Sequence, residues 1–589
     1  KSTFDPVIKE DALFNFAKIT YEMFYSPFNE AIDAFREYIE QYPDRPRTDE
    51  AYNYLVLAYS NTKNYKDALI SLEKIRNKDA NTRGAYQRVA FFRGIELFQN
   101  LSYQEAIEKF DLSLKFPEYN RILMAQALYW KAEANYRMGN FEAAEMDYNE
   151  FILTAGSFEL PEYKIAHYNL GYANFKQKKY DDAIVWFRKY ADISAKEATP
   201  MLGDAHNRTG DSYFIQRRYW VAIDYYDKAI TVNTLDGDYA MFQKAFSFGL
   251  VERPQKKIET LIALLEKYPE SSYLDDALFE IAESNIILNQ PQEAAKYYSQ
   301  IVHDYSSSSY HVKSLVQLGL LAYNNELSDS AMGLYKRVVE QYPGTSEAKN
   351  ALTGIRNIYV DKGDVNSYFS YAGQLGSFAN ISIAEKDSLT YIAAEKLYME
   401  GNCSKSSTGF TSYLAEYPKG NFTLNASFYL ADCQLREGQN DKALENLIYV
   451  IQKPKNDFTE QALLSASRIY LSQNKFAEAY ETYDLLEGLA EVKNNLLEAR
   501  IGKLRAAFAL ERHNDVILAA AKVLSSDKLA EEQEREARFK MAKSHIALGQ
   551  TSEAFDQFAT VARAPKTLEG AESRNLMASI LRQQGKLDK

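Results

Sequence analysis

The sequence has 589 residues, too many for one compact core, so we expect either several domains or an array of repeats. The net charge of −12 argues against nucleic acid and anionic membrane surfaces, which need clustered Lys and Arg. Only two cysteines, Cys403 and Cys433, are present, which excludes a disulfide framework and a four-cysteine zinc site. No apolar run approaches the roughly 18 residues that span a bilayer.

Taken in chain order, the predicted elements are pairs of helices that repeat. Residues 168–184 predict two amphipathic helices with a tight turn, because apolar residues recur at steps of three and four. Similar segments recur at intervals of 35 to 39 residues when they are aligned on the residue that opens each second helix, which we call the anchor. The anchors are Phe28, Tyr65, Tyr103, Phe141, Tyr180, Tyr219, Pro254, Pro291, Ser328, Asp364, Cys403, Asn440, Phe476, His513, Thr551 and Leu587.

Three positions of the repeat carry residues of characteristic size. Three residues after the anchor, Ala occurs in 11 of the 15 complete repeats, with Lys257, Ser367, Ser406 and Val516 as exceptions. Seven residues after it, a large apolar or aromatic residue occurs in 14 of 15, and Ala520 is the exception. Nine residues before it, Gly, Ala or Ser occurs in 11 of 15. Small residues let helix backbones approach, and the large residue fills the space beside them.

The repeat pattern weakens in two places and stops at the C-terminus. Residues 364–385 contain two glycines, which destabilise helices. Residues 505–520 lack the Ala and the large residue that the repeat usually carries. We therefore predict an N-terminal array over 1–363, a degenerate repeat and hinge over 364–402, and a C-terminal array over 403–589. The next Ala position would be 590, beyond Lys589, so we expect an array that ends mid-repeat, as a fragment of a longer protein does.

These small and large positions, with the aromatic–Pro ends at Tyr42–Pro43, Tyr268–Pro269, Tyr342–Pro343 and Tyr417–Pro418, resemble the tetratricopeptide repeat family over the whole chain. The resemblance implies an all-α, right-handed superhelical solenoid of about 15 helix-turn-helix repeats, each slightly longer than the family's 34 residues. The aromatic–Pro ends are similar to those of long tetratricopeptide repeat proteins in the Gram-negative cell envelope.

Motifs for catalysis or cofactor binding are not found in the sequence. A Walker-type phosphate loop, a His-Glu-x-x-His zinc motif and a Cys-x-x-Cys pair are all absent, so we predict neither an enzyme nor a cofactor. We interpret the six histidines as packing residues, and His303 and His311 as too few ligands for a metal site. Cys403 and Cys433 fall in neighbouring repeats, and we predict two unpaired small core residues rather than a disulfide.

The resemblance also indicates where partners would bind. In this family the first helix of each repeat lines the concave side, with residues twelve, eight and five before the anchor facing it. An aromatic group results in the N-terminal third, which suits protein recognition because such rings offer contact area with few rotors to immobilise. These residues are Phe91, Phe98, Tyr129, Tyr136, Tyr168, Tyr172, Phe175 and Phe214. The alternative is that the same rings pack against neighbouring repeats. The Lys and Asn pairs of the family's carboxylate clamp are absent from these positions.

The resulting hypothesis is a non-catalytic scaffold that binds one or more proteins or peptides, in a periplasmic or outer-membrane-associated complex. A cytoplasmic adaptor or regulator is the main alternative. A glycan-capture lipoprotein built on the same helices is a weaker one, because such proteins carry Trp on large loops. Here Trp130, Trp186 and Trp220 fall inside predicted helices.

Overall fold

The computed structural model describes residues 5–23, 28–232 and 236–586. Across those ranges the chain forms 31 α-helices and two short 3-10 helices, and the described backbone contains no β-strand. The predicted all-α fold is confirmed. The helices form two compact units, Lys1–Ser314 and Leu315–Lys589, and each is described separately. The predicted division at 364–402 stays a prediction.

The first unit contains sixteen complete helices and a 3-10 helix, Ser157–Glu159. The helices are α1 (Pro6–Glu22), α2 (Asn29–Gln41), α3 (Thr48–Asn61), α4 (Tyr65–Lys74), α5 (Ala80–Gln99), α6 (Tyr103–Ser113), α7 (Arg121–Arg137), α8 (Phe141–Leu153), α9 (Glu162–Lys176), α10 (Tyr180–Ile193), α11 (Pro200–Ile215), α12 (Tyr219–Val232), α13 (Gly237–Leu250), α14 (Pro254–Lys267), α15 (Leu274–Ile287) and α16 (Pro291–Asp304).

The boundary between the units lies in α17 (His311–Asn324), and the second unit continues to the C-terminus with a 3-10 helix at Gly376–Ala379. Its further helices are α18 (Ser328–Gln341), α19 (Ser346–Asp361), α20 (Val365–Gln374), α21 (Ile383–Met399), α22 (Cys403–Glu416), α23 (Thr423–Arg436), α24 (Asn440–Ile451), α25 (Thr459–Ser472), α26 (Phe476–Leu489), α27 (Lys493–Ala509), α28 (His513–Leu524), α29 (Glu531–Ala547), α30 (Thr551–Val561) and α31 (Leu568–Gln583).

The second helix of each pair begins where the repeat pattern places it. Thirteen of the fifteen described second helices start at the predicted anchor residue, and α2 and α20 start one residue later, at Asn29 and Val365. Asn64 and Asn402 cap their helices through the side chain, and Pro254 and Pro291 stand at the first helical position, where no amide donor is needed. The predicted anchor Leu587 lies outside the described residues.

The turn inside each pair has one recurring backbone conformation. In all fourteen pairs from α3–α4 to α29–α30, the residue two before the second helix is left-handed, with φ between 55° at Asn289 and 81° at Gly139. The following amide closes the first helix by a six-residue hydrogen bond, for example from Asn64 N to Tyr59 O at 2.8 Å. This arrangement is a Schellman end. It ends the first helix at the same point in every repeat and reverses the chain.

The size pattern of the repeat is realised in the packing. All eleven column alanines, from Ala31 to Ala554, have no exposed surface. A Cβ atom on Gly94, Gly171, Gly210 or Gly319 would come within 2.5–2.7 Å of the large ring sixteen residues later, at Phe110, Phe187, Tyr226 or Tyr335. The small residue on the first helix therefore holds the aromatic ring of the second helix directly against its backbone.

The two degenerate repeats pack by exchanging large and small residues. In the pair α27–α28, Leu504 occupies the small position and Ala520 the large one, and both are buried. In the pair α19–α20 the helix start at Val365 shifts the register, so Tyr368 and Ala372 are buried. Tyr371, predicted to be the large buried residue, is only half-buried, and that prediction is wrong because Asp364 caps α20 instead of opening it.

The prediction of two unpaired cysteines is also wrong. Cys403, the first residue of α22, and Cys433, near the end of α23, form a disulfide with their Cα atoms 5.2 Å apart. Consecutive helices of the array are antiparallel, so the start of α22 lies beside the end of α23, and this separation lies within the disulfide range. The prediction that the histidines are packing residues is confirmed for His167, His311 and His545, which are buried. It is wrong for His303, whose side chain is 89% exposed near the end of α16.

Candidate protein-binding surface

The eight predicted contact residues lie on four consecutive first helices of the first unit, α5, α7, α9 and α11. None of them is fully exposed. Phe91 and Tyr129 are buried, with 4% and 6% of their surface accessible. The remaining six rings, those of Phe98, Tyr136, Tyr168, Tyr172, Phe175 and Phe214, are half-buried. The structure thus places these side chains on one series of helices, with six of the rings partly accessible.

Four of these rings have the same neighbour in each repeat. The ring five residues before the anchor packs edge-on against the anchor ring itself, with centroids 5.3–5.5 Å apart and planes inclined by 63–75°. Such an edge-to-face contact favours the aromatic pair beyond its burial. It also fixes the ring at the turn between the two helices. The pairs are Phe98–Tyr103, Tyr136–Phe141, Phe175–Tyr180 and Phe214–Tyr219.

Tyr168 and Tyr172 are fixed by their hydroxyl groups as well as by their rings. Both donate hydrogen bonds to one carboxylate oxygen of Asp204 on α11, over 2.7 and 2.5 Å. Burial, followed by the negative charge of Asp204, raises the pKa of both phenols above its usual value. The phenols therefore stay protonated as donors, and α9 is tied to the following first helix.

Asp204 begins a polar network that continues into the next repeat. Arg208 donates to Asp204 over 3.1 Å and to Asp211 over 2.6 Å. Asp211 also accepts from Tyr226 over 2.9 Å and from Tyr239 over 2.8 Å. Burial raises the pKa of Asp211, and the Arg208 charge acts against that rise. Each carboxylate in this network has several donors, which a buried charge requires.

A similar carboxylate lies two repeats earlier in the chain. Glu133 on α7 accepts hydrogen bonds from Tyr148 of α8 and from Asn169 of α9. Burial raises the pKa of Glu133, and the bond from Tyr148 acts in the opposite direction. Glu133 and Asp211 occupy the same repeat position, eight residues before the anchor. The structure shows that each is held by a tyrosine of its own repeat.

This pairing follows from two repeat positions together, and the size pattern of the single positions did not predict it. Where the residue eight before the anchor is acidic and the residue seven after it is Tyr, the hydroxyl donates to the carboxylate fifteen residues earlier. It occurs in the pairs Tyr148–Glu133, Tyr226–Asp211 and Tyr298–Glu283. Comparing the two positions with each other, instead of treating each alone, would have found it.

The position twelve before the anchor has a structural partner in later repeats. Its aromatic ring stacks on a ring that lies immediately before or at the start of the next repeat's first helix, with centroids 4.4–5.0 Å apart. The stacked pairs are Phe242–Tyr273, Phe279–Tyr310, Tyr391–Phe422 and Phe428–Phe458. In these repeats the ring joins neighbouring repeats, as the packing alternative supposed.

The last first helices of the second unit carry ion pairs on the same side. Arg468, Arg505 and Lys543, each eight residues before an anchor, pair with an acidic residue on the next first helix. The partners are Glu498, Glu536 and Glu572. Both arginine pairs are bidentate, with N–O distances of 2.5–2.9 Å. Exposed pairs contribute little singly, and here their regular spacing links α25, α27, α29 and α31.

The described residues form neither a helix that could span a membrane nor a cluster of metal ligands. No described helix is both long enough and apolar enough to cross a membrane. Within the same residues, no group of three or more His, Cys, Asp or Glu side chains is arranged to hold a metal ion.

Comparison with known proteins gives matches to tetratricopeptide repeats. Two family models, both described as tetratricopeptide repeat, match residues 131–199 and residues 276–308, 313–345 and 536–567. No curated protein matches the sequence.

Solved structures that resemble the chain include the C-terminal part of a TPR repeat-containing protein from Cytophaga hutchinsonii. It is 17% identical, covers 44% of this chain and 99% of its own, and has a TM-score of 0.38. A tetratricopeptide repeat protein from Parabacteroides merdae is 16% identical over 46% of this chain and 98% of its own, at a TM-score of 0.25. Yeast Tom70 is 16% identical, covers 79% of this chain and 97% of its own, and has a TM-score of 0.22.

These three similarities are too low to carry statements about partners, and the assignment rests on the repeat models and on the repeating helix pairs. Tetratricopeptide repeats bind other proteins, so their presence supports a protein-interaction scaffold. The matched segments, the Ala and aromatic positions and the regular turns together show that the chain contains tetratricopeptide repeats.

Proposed function

We propose that this protein is a non-catalytic scaffold that holds partner proteins or peptides on the first helices of its N-terminal repeats. The contact residues in this proposal are the eight aromatic side chains Phe91, Phe98, Tyr129, Tyr136, Tyr168, Tyr172, Phe175 and Phe214. Six of them expose part of a ring, whereas Phe91 and Tyr129 are buried within the same helices.

The observation that carries the proposal is that the accessible rings are fixed before any partner arrives. Phe98, Tyr136, Phe175 and Phe214 each pack against an anchor ring, and the hydroxyl groups of the remaining two donate to a shared carboxylate. Ordering an interface side chain costs about 0.5–1.5 kcal/mol when it is free in the unbound protein. Rings that are already ordered avoid that cost.

The test is a crosslinking capture from the source organism with the tagged chain and two matched variants. Phe175→Ala removes a predicted contact ring, and Phe508→Ala removes the ring at the same repeat position in the second unit. Circular dichroism verifies that both variants fold. A partner captured by the wild type and by Phe508→Ala, and lost with Phe175→Ala, supports the proposal. Equal capture by all three proteins, or no specific capture at all, contradicts it.

The second part of the proposal is the compartment, periplasmic or outer-membrane-associated, within an envelope complex. The disulfide between Cys403 and Cys433 supports it, because structural disulfides persist in oxidising compartments and are rare in the cytosol. Trapping of free thiols in intact cells tests this directly. Two cysteines that do not react with the trapping reagent, together with a secretion signal in the upstream coding sequence, support the envelope location. Two free thiols favour the cytoplasmic adaptor.

A further inference from the structure

Apolar side chains are exposed at corresponding positions on three consecutive first helices of the first unit. They lie near the C-terminal ends of α11, α13 and α15, four, five or eight residues before the anchor. Their exposed fractions are 48% for Ile215, 37% for Phe246, 45% for Leu250, 40% for Ile286 and 72% for Ile287. We call this group the apolar ridge. Ile215, Leu250 and Ile287 share the position four before the anchor, and Phe246 and Ile286 add to them. Single exposed apolar residues are ordinary, whereas such a group on successive repeats marks an interaction surface.

The three helices are neighbours in the structure. Phe214 of α11 contacts Phe246 of α13, with ring centroids 6.1 Å apart. The ammonium group of Lys257 lies 5.9 Å from the Phe246 ring centroid and forms an ion pair with Glu280 of α15. These contacts link the three helices that carry the apolar ridge.

A band of negative charge runs beside the apolar ridge. On α15, Asp276, Glu280 and Glu283 precede Ile287 at helical spacing and lie on the same face, and the helix contains no Lys or Arg. Glu280 forms an ion pair with Lys257. Asp276 and Glu283 instead accept hydrogen bonds from the neutral hydroxyls of Tyr310 and Tyr298. The band therefore has more negative than positive charge. Burial raises the pKa of Asp276, and the neighbouring carboxylates act in the same direction.

We propose that the apolar ridge docks an amphipathic helix of a partner protein that has Lys or Arg along one flank. The ridge side chains offer no hydrogen-bonding groups, so the occupant must satisfy its own backbone, as a helix does. The acidic band faces one side of such a helix and attracts cations there. This inference rests on the proposed scaffold function and adds a second surface and the chemistry of its partner.

The size of the ridge fixes the length of that helix. Packed helix axes are about 8–10 Å apart, so three neighbouring helices present a ridge roughly 20 Å long. A helix rises about 1.5 Å per residue, so about 13 residues cover it. The partner's apolar residues then recur at steps of three and four along that length.

The experiment measures the binding of two labelled helical peptides to the full chain by fluorescence anisotropy. Both are 18-residue designs with Leu at steps of three and four; one carries Lys along one flank, and the other carries Glu at the same positions. We expect the Lys peptide to bind at least tenfold more tightly. Equal affinities, or no binding of the Lys peptide, overturn the inference.

A double variant, Leu250→Glu with Ile287→Glu, links that binding to the ridge. It adds two negative charges, so unspecific attraction for the Lys peptide would strengthen, whereas docking on the ridge predicts at least a tenfold loss. Leu518→Glu, at an exposed position on α28 of the second unit, is the matched control and should leave binding unchanged. If the double variant fails to fold, Ile287→Ser alone replaces it. Unchanged binding of the Lys peptide to the ridge variant overturns the inference.

The same variants separate this inference from the scaffold proposal. A partner that is captured by the ridge variant and lost with Phe175→Ala leaves the scaffold function standing and contradicts docking on the ridge. Peptide binding that depends on the ridge, with no partner captured on the aromatic residues, supports docking on the ridge and contradicts the scaffold proposal.

Discussion

The contact between Gly171 and Phe187 allows a stability prediction in which one chemical change has two opposite outcomes. A Cβ atom on Gly171 would lie 2.5 Å from Cδ1 and 2.6 Å from Cε1 of the buried Phe187 ring. Carbon atoms pack at about 3.5–4.0 Å, so the ring would have to move by roughly 1 Å. That ring is enclosed by Tyr168 and Tyr172, whose ring centroids lie 5.9 and 5.2 Å from its own.

The expected size of the effect follows from two opposing terms. Overpacking a filled core costs about 1–3 kcal/mol, and replacing Gly by Ala inside a helix returns about 1 kcal/mol. The added Cβ of Gly171→Ala would overlap two atoms of the ring, so the upper part of the overpacking range, about 2–3 kcal/mol, applies. We therefore expect a net loss of about 1–2 kcal/mol in the local opening free energy of α9 and α10. Gly333→Ala is the matched control, because that helical glycine of α18 has no atom within 4 Å of its added Cβ. It should stabilise α18 by about 0.5–1 kcal/mol.

Hydrogen exchange with peptide-level resolution is the suitable assay, because a repeat array does not unfold as one two-state unit. Since about 1.4 kcal/mol is a factor of ten in an equilibrium constant, Gly171→Ala should accelerate exchange in α9 and α10 by roughly five- to thirtyfold. Adding Phe187→Leu should recover part of the loss, because a smaller side chain leaves room for the methyl group. Stabilisation by Gly171→Ala, or equal acceleration in every repeat, would refute the reasoning.

Three further predictions concern the covalent, polar and titrating contacts. Removing the 30-residue disulfide loop by Cys403→Ser with Cys433→Ser should cost about 3–4 kcal/mol, measured as faster exchange in α22 and α23. Tyr226→Phe leaves a buried carboxylate with one donor fewer and should destabilise α11 and α12 by about 1–2 kcal/mol in the same assay. Acidification should stabilise the surroundings of Glu133 and destabilise those of Glu536, measured as opening free energies between pH 6 and pH 4.

The signs of the pH prediction follow from the two carboxylates. Burial raises the pKa of Glu133 above 4.5, so the folded state binds a proton more readily and loses stability as the pH rises through that range. At Glu536 burial also acts to raise the pKa, but Arg505 outweighs it and the pKa is lowered. The charged Glu536 carboxylate then contributes to the stability of the folded state above pH 4.5, and that contribution is lost on acidification. Like responses at the two sites would show that their surroundings do not differ as described.

Controls are available for the other two predictions. Tyr335→Phe alters the same repeat position as Tyr226→Phe, but the residue fifteen before it is Leu320, so the change should cost less than about 0.5 kcal/mol. Equal losses at the two positions would contradict the role of the carboxylate. For the disulfide, reduction of the wild-type protein should reproduce the effect of the double serine variant. Unchanged hydrogen exchange in α22 and α23 on reduction would contradict the predicted stabilisation by the disulfide.

The architecture was predictable because the repeat averages out local errors. A single Ala at one position has little predictive value. Ala at the same position in eleven repeats predicted the starts of the second helices to within one residue. The exceptions were the repeats in which the small and the large side chain have exchanged positions. Leu504 with Ala520 fills the same volume in reverse order, and such compensation is invisible when each position is examined alone.

The contact surface was less predictable, because a position in a repeat does not state how deeply a side chain is buried. Phe91 and Tyr172 are both on first helices, yet one is enclosed and the other half-accessible. Long-range partners decide the difference, as for Tyr172 and Asp204, which are 32 residues apart. The disulfide was missed for a related reason, since spacing along the sequence does not show which ends of two helices lie side by side.

The link between Cys403 and Cys433 also has a mechanical consequence. A stack of helix pairs that is pulled along the chain lengthens as its pairs unravel, and each released residue adds about 3.3–3.6 Å of contour. The segment between the two cysteines, which are 30 positions apart, cannot be drawn out, because the covalent bond carries the load past it. About 100 Å of chain is thereby withheld from extension in oxidised protein and becomes available once the bond is reduced.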